Sequence, residues 1–92
     1  DVQKELAVLA EKVVASLNKH HKVGKTIVVK VRYADFTTVT KRRTADFPTD
    51  DREVILRTAE EIFDLVGDLS KGVRLLGITL TNLEEKARQS SD

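Results

Sequence analysis

The sequence has no cysteine, no tryptophan and no methionine, and a single proline, Pro48. Without cysteine there is no disulfide, no thiolate metal site and no cysteine nucleophile. Aromatic residues are limited to Tyr33, Phe36, Phe47 and Phe63, so a base-stacking surface has little to be built from. No apolar run approaches the ~20 residues a membrane-spanning helix needs. No signal-peptide pattern opens the chain, and it starts at a charged residue rather than Met, as expected of a fragment of a longer protein. The four glycines, Gly24, Gly67, Gly72 and Gly77, are scattered and form no phosphate loop. No serine sits in a nucleophile motif. His20 and His21 are neighbours at a helix end and point about 100° apart, so they read as solvated groups rather than metal ligands. Glu60, Glu61 and Asp64 read as a solvated helix face rather than an acid–base pair or metal site. No catalytic or metal site is legible.

What is present is a segregation of charge hidden by a net charge of +1. Residues 20–45 hold seven Lys and Arg against one acid, Asp35, a balance of +6. Residues 46–70 hold eight acids against Arg52 and Arg57, a balance of −6. A surface so divided attracts a polyanion to one side only. With 92 residues, 40% of them hydrophobic and 34% charged, the chain suits one folded soluble domain and not two.

The apolar spacing assigns the elements. Val2, Leu6, Leu9, Val13 and Leu17 recur every three or four residues and predict a helix over 2–20. Gly24 then offers a place to turn. Residues 25–34 alternate, with Ile27, Val29, Val31 and Tyr33 on one side and Val28, Lys30 and Arg32 on the other, which predicts a strand. A turn at 34–36 leads to a second strand over 37–45, and Asp46, Phe47 and Pro48 are expected to break it. Asp50 and Glu53 have the spacing of a capping box at the start of a second helix. Ile55, Ala59, Ile62, Phe63 and Val66 form its apolar face. A last strand spans 73–81, and residues 82–92 read as a polar end that frays. The order α-β-β-α-β predicts an α+β fold, an antiparallel sheet with both helices packed on one face.

The basic hairpin is the one candidate site. Its Lys and Arg alternate with apolar residues, so several share one open sheet face. Thr37, Thr38, Thr40 and Thr44 add hydroxyl donors suited to phosphate oxygens. This chemistry favours binding to a nucleic-acid backbone by counterion release, with no base-specific readout. By parity, Lys30 and Arg32 share a face, as do Thr40, Arg42 and Thr44. Lys41 and Arg43 point the other way unless a bulge re-aims them.

The segment KVRYADFTTVTKRRT (30–44), followed by an amphipathic helix and VRLLGITLTNL (73–83), resembles the C-terminal little-finger domain of Y-family translesion DNA polymerases, in the bacterial polymerase IV branch. The likeness covers roughly residues 2–83. It implies a β-α-β-β-α-β domain, here without its first strand, that grips duplex DNA at the phosphate backbone of the primer–template. It places the catalytic carboxylates and their Mg²⁺ in the palm of the parent polymerase, outside this chain. The resemblance implies DNA contacts from Lys30, Arg32, Thr38, Thr40, Lys41, Arg42, Arg43, Thr44, Arg74 and Thr79, with Arg42, Arg32 and Arg74 foremost. The partners implied are duplex DNA, the rest of the polymerase and, through it, a sliding clamp. The clamp-binding tail motif is missing, because residues 89–92 lack its hydrophobic end. The setting implied is the bacterial cytoplasm. The DNA-binding domain is assigned to 1–83 and the polar tail to 84–92. The family sheet order, 1-4-2-3, leaves strand 73–81 as an open edge through which copies are expected to self-associate. Two other readings compete: an RNA-binding α+β domain, which needs aromatic platforms in mid-strand, and a protein-interaction domain that docks through a strand edge.

Overall fold

The computed structural model describes residues 1–86, with Leu69 described by its backbone alone. The first helix, α1 (Val2–Lys19), starts where the Asp1 side chain accepts from the Lys4 amide at 2.9 Å. It is followed by strand β1 (Lys22–Tyr33), strand β2 (Thr38–Thr49), helix α2 (Arg52–Val66), a short 3-10 turn (Leu69–Lys71) and strand β3 (Val73–Glu85). The sheet order is β2-β1-β3, and both pairings are antiparallel. This is the expected α+β fold, and the order is the 4-2-3 part of the one the resemblance implied.

Alternation sets the two faces. Ile27, Val29 and Val31 have no exposed surface. They pair with Leu80, Ile78 and Leu76 of β3, which are also buried. The helices cover this side with Leu6, Ala10 and Leu17 from α1 and Ile55, Ala59, Ile62 and Phe63 from α2. Each large side chain fully removed from water contributes about 1.5–3 kcal/mol, so this single layer holds the domain together.

Tyr33 closes the core. It is buried, and its hydroxyl donates to the Val66 carbonyl at 2.7 Å and accepts from the Asp68 amide at 2.9 Å. The end of α2 is thereby fastened to the end of β1.

Several boundaries differ from those read off the sequence. The turn after α1 falls at His20 and His21, with His21 in the left-handed region at φ 53°. Gly24 does not turn the chain; it lies buried inside β1. Strand β2 continues to Thr49, which pairs with Gly24, and the residues between Thr44 and Thr49 loop out of the register. Pro48 therefore interrupts no ladder bond, because the bulge takes it out of the pairing. The α2 cap is Asp51, whose carboxylate accepts from the Glu53 amide at 2.9 Å. Asp50 is instead drawn to Lys86 at 2.8 Å, so the expected capping box between Asp50 and Glu53 does not form. Strand β3 runs four residues past 81, because Leu83, Glu84 and Glu85 pair with Gly24, Val23 and Lys22. The expected fraying from residue 82 thus fails for 82–85. The remainder of the polar tail, with residues 89–92, lies outside the described residues.

Candidate nucleic-acid interface

The sheet face turned away from the helices is built row by row from the strand register. Reading β2, β1, β3, the rows are Thr44–Thr26–Thr81, Arg42–Val28–Thr79, Thr40–Lys30–Gly77 and Thr38–Arg32–Leu75. No acid stands in any row. Successive rows are two residues apart, about 6.6–6.8 Å along the strand. The candidates Lys30, Arg32, Thr38, Thr40, Arg42, Thr44 and Thr79 therefore lie together on one face, and all are exposed.

Lys41 and Arg43 do not join them. The β1–β2 register runs unbroken from Thr26↔Thr44 to Arg32↔Thr38, so no bulge re-aims them. Lys41 pairs with Val29 and Arg43 with Ile27, both core-facing. Arg43 turns to α2, where its Nη1 meets Glu61 Oε1 at 2.6 Å. Part of the acidic helix thus neutralises a basic residue on the covered side.

Hydrogen bonds pre-set some donors. Arg32 donates through Nε to the Thr38 hydroxyl at 3.3 Å. The Thr38 hydroxyl accepts this bond, which leaves its own proton to be donated elsewhere. Thr26 is buried although it belongs to the open face. Asn82 donates to its hydroxyl at 2.6 Å, and that hydroxyl lies 3.0 Å from the Thr44 hydroxyl. A buried hydroxyl needs an acceptor for its own proton, and Thr44 is the one within reach. The relay leaves the Thr44 proton for an acceptor outside the protein. Asn82 reaches inward from the left-handed region at φ 54°, a conformation asparagine tolerates better than most residues. Thr26 and Asn82 were not singled out from sequence; an asparagine directly after an alternating strand is the only local sign of this relay.

The β1–β2 turn forms the end of the face. The Thr37 hydroxyl and amide both donate to Asp35 Oδ1, at 2.6 and 3.0 Å. These bonds, with the charge of Lys71, hold the Asp35 carboxyl below its ordinary pKa. Phe36 sits at φ 69° and is 63% exposed. The Arg74 guanidinium lies over its ring, 4.7 Å from the centroid. Stacking leaves the edge donors of Arg74 free. Arg74 stands just where the β1–β3 register breaks, between Arg32↔Leu75 and Tyr33↔Val73. The glutamates of α2 lie behind the sheet, and among the described residues no group of three His, Cys, Asp or Glu could hold a metal ion. The face presents cations and hydroxyls of the kind that meet phosphate oxygens.

Residues 1–92 match the family model described as the impB/mucB/samB family C-terminal domain. The chain is 54% identical over 84 residues to DNA polymerase IV of Streptococcus sanguinis, a match covering 91% of this chain and 24% of that protein. It is 52% identical over 89 residues to DNA polymerase IV of Streptococcus mutans, covering 97% of this chain and 24% of that protein. DNA polymerase IV of Streptococcus pyogenes is 52% identical over 86 residues, covering 94% of this chain. The chain thus spans about a quarter of the length of these curated relatives (24%).

Proposed function

The chain belongs to the impB/mucB/samB C-terminal domain family, that of the Y-family polymerases, and on that premise we propose that it is a non-catalytic duplex-DNA-binding module of a lesion-bypass DNA polymerase. The open sheet face holds the sugar-phosphate backbone of the primer–template. One observation carries this: Lys30, Arg32 and Arg42 stand on three consecutive acid-free rows, with threonine hydroxyls between them. Arg74 extends the row of cations at the turn end. Lys41 and Arg43 take no direct part. The polymerase active site and its Mg²⁺ lie in the remainder of the parent protein, which is the module's covalent partner. Through that parent a sliding clamp completes the set, in the cytoplasm of a bacterium.

Duplex binding is favoured over RNA binding by the placement of the aromatics. Tyr33 is inside the core with its hydroxyl fully engaged, and no aromatic stands in any of the four rows. A sheet that reads single-stranded RNA needs such platforms. Titration of the domain with duplex DNA and with single-stranded RNA of equal length, at several salt concentrations, tests the choice. Tighter, strongly salt-dependent duplex binding supports it. A preference for the single strand refutes it.

We also propose that the outer edge of β3 pairs with a second copy of the chain. Among the described residues β3 is a sheet edge, and Leu75 and Leu83 on it are each about half exposed (49% and 51%). An antiparallel pairing of two β3 strands sets the Arg74 end of one against the Glu84 and Glu85 end of the other, so the charges complement. Sedimentation at rising concentration should show dimers, which a Thr79→Pro change in mid-edge should abolish. A monomer at every concentration refutes the pairing.

A further inference from the structure

Three of the four glycines have a local reason to be glycine. A Cβ on Gly24 would stand 2.8–2.9 Å from the Leu80 and Leu83 side chains. One on Gly67 would strike the Phe63 ring, and Gly72 has a φ of +73°. Gly77 has no such reason. Its φ is not in the left-handed region, and the nearest atom to a Cβ placed there is Lys30 Cβ at an ordinary 3.9 Å. Glycine inside a strand is unfavourable, and where packing does not require it, it marks a place where another backbone or a ligand comes close.

The position is telling. Gly77 pairs with Lys30 on the open face and lies diagonally from Arg32. Thr79 follows on the same side of the same strand. Diagonal cross-strand neighbours are within reach of long side chains. The bare position is thus a dip in the floor of the face, beside Lys30 and one step along β3 from Thr79, while the Arg32 guanidinium is drawn toward Thr38 on the other side of β1.

We propose that Gly77 is the point of closest approach, where the nucleic-acid backbone lies directly against the main chain of β3. A phosphate seated there accepts from Lys30 and Thr79. Any side chain at 77 lifts it away from both. This rests on the reading of the open face as a duplex-DNA interface, and it adds a residue that carries no charge or donor side chain of its own.

The test uses Gly77→Ala and Gly77→Val in the 92-residue chain, with a short mixed-sequence DNA duplex as the probe. Both should melt at or above the wild-type temperature, because a Cβ at 77 makes only an ordinary 3.9 Å contact with Lys30 and a side chain favours the strand over glycine. Duplex Kd should rise in order of size, about threefold for alanine and about tenfold or more for valine, with a shallower salt dependence as contacts are lost. Unchanged affinity in both variants overturns the role of Gly77. If Arg42→Ala still weakens binding in that case, the interface reading stands without it. If Arg42→Ala is also without effect, the interface reading itself falls. Weaker binding that merely follows a lowered melting temperature in both variants likewise overturns the proposal.

Discussion

Tyr33→Phe removes one oxygen from the interior and leaves the ring in place. In the folded chain that oxygen bridges Val66 and Asp68, at 2.7 and 2.9 Å. Two hydrogen bonds at a net ~0.5–1.5 kcal/mol each give an upper range near 3 kcal/mol. The bridged groups are not sealed, since Val66 is half-buried and Asp68 exposed. Water can therefore replace part of what is lost, and about 1–2 kcal/mol is the expected cost. At about 2.1 cal/mol/K per residue, a 92-residue chain has an unfolding entropy of roughly 0.19 kcal/mol/K. The melting temperature should then drop by about 5–10 °C. Calorimetry measures that drop, and amide exchange at Asp68 reports the broken bond itself, which should exchange faster than in wild type. Duplex affinity of the folded protein should not change, because Tyr33 lies under the sheet. A melting temperature within a degree of wild type, with Asp68 still protected, would refute the fastening of α2 to β1. A loss of affinity at unchanged stability would place Tyr33 on the wrong face.

Phe63→Ala should cost about 3–5 kcal/mol, from lost burial and a residual cavity. That approaches the whole stability of a small domain, so chemical denaturation should find it largely unfolded; melting near wild type would put Phe63 on the surface. Arg42→Ala should flatten the salt dependence of duplex binding by about one contact, whereas Arg43→Ala should barely alter it and, by losing its exposed pair with Glu61, cost at most ~1 kcal/mol. Equal effects in titrations of the two variants would contradict the register. Asp35, its pKa lowered on folding, contributes stability that is present above its ordinary value of 3.8 and is lost as pH falls through the lower folded value. Asp35→Asn keeps an acceptor for Thr37 but does not titrate, so its melting temperature should fall less steeply with acid than wild type; parallel curves would show that the Thr37 bonds do not form.

The face assignments were legible in the sequence because alternation is a local property. Ile27, Val29, Val31 and Tyr33 are all buried, and Lys30 and Arg32 lie opposite them. The same parity separated Arg42 from Arg43. The apolar face of α2, from Ile55 to Phe63, followed equally from spacing. What escaped reading depends on partners distant in sequence. The extension of β3 is set by Lys22–Gly24 across the sheet, with an ion pair of 2.9 Å between Lys22 and Glu85. The α2 cap moved by one residue because the Thr49 hydroxyl accepts from the Asp51 amide while Lys86 takes Asp50. The Thr26 relay needs residues 44 and 82 at once, and no window along the chain contains all three. Gly77 was visible as a letter, but only the lack of any close contact to a Cβ placed there makes it informative.

The central claim is that the open face of the sheet binds duplex DNA through its phosphates. The most direct measurement is the duplex binding constant across a range of salt concentrations, repeated with unrelated sequences. Lys30, Arg32 and Arg42, with Arg74 at the end of the face, supply about four contacts. At about −0.9 per phosphate the log–log slope should lie between roughly −3 and −5, the same for every sequence. A slope near zero, or a strong preference for one sequence, would contradict it.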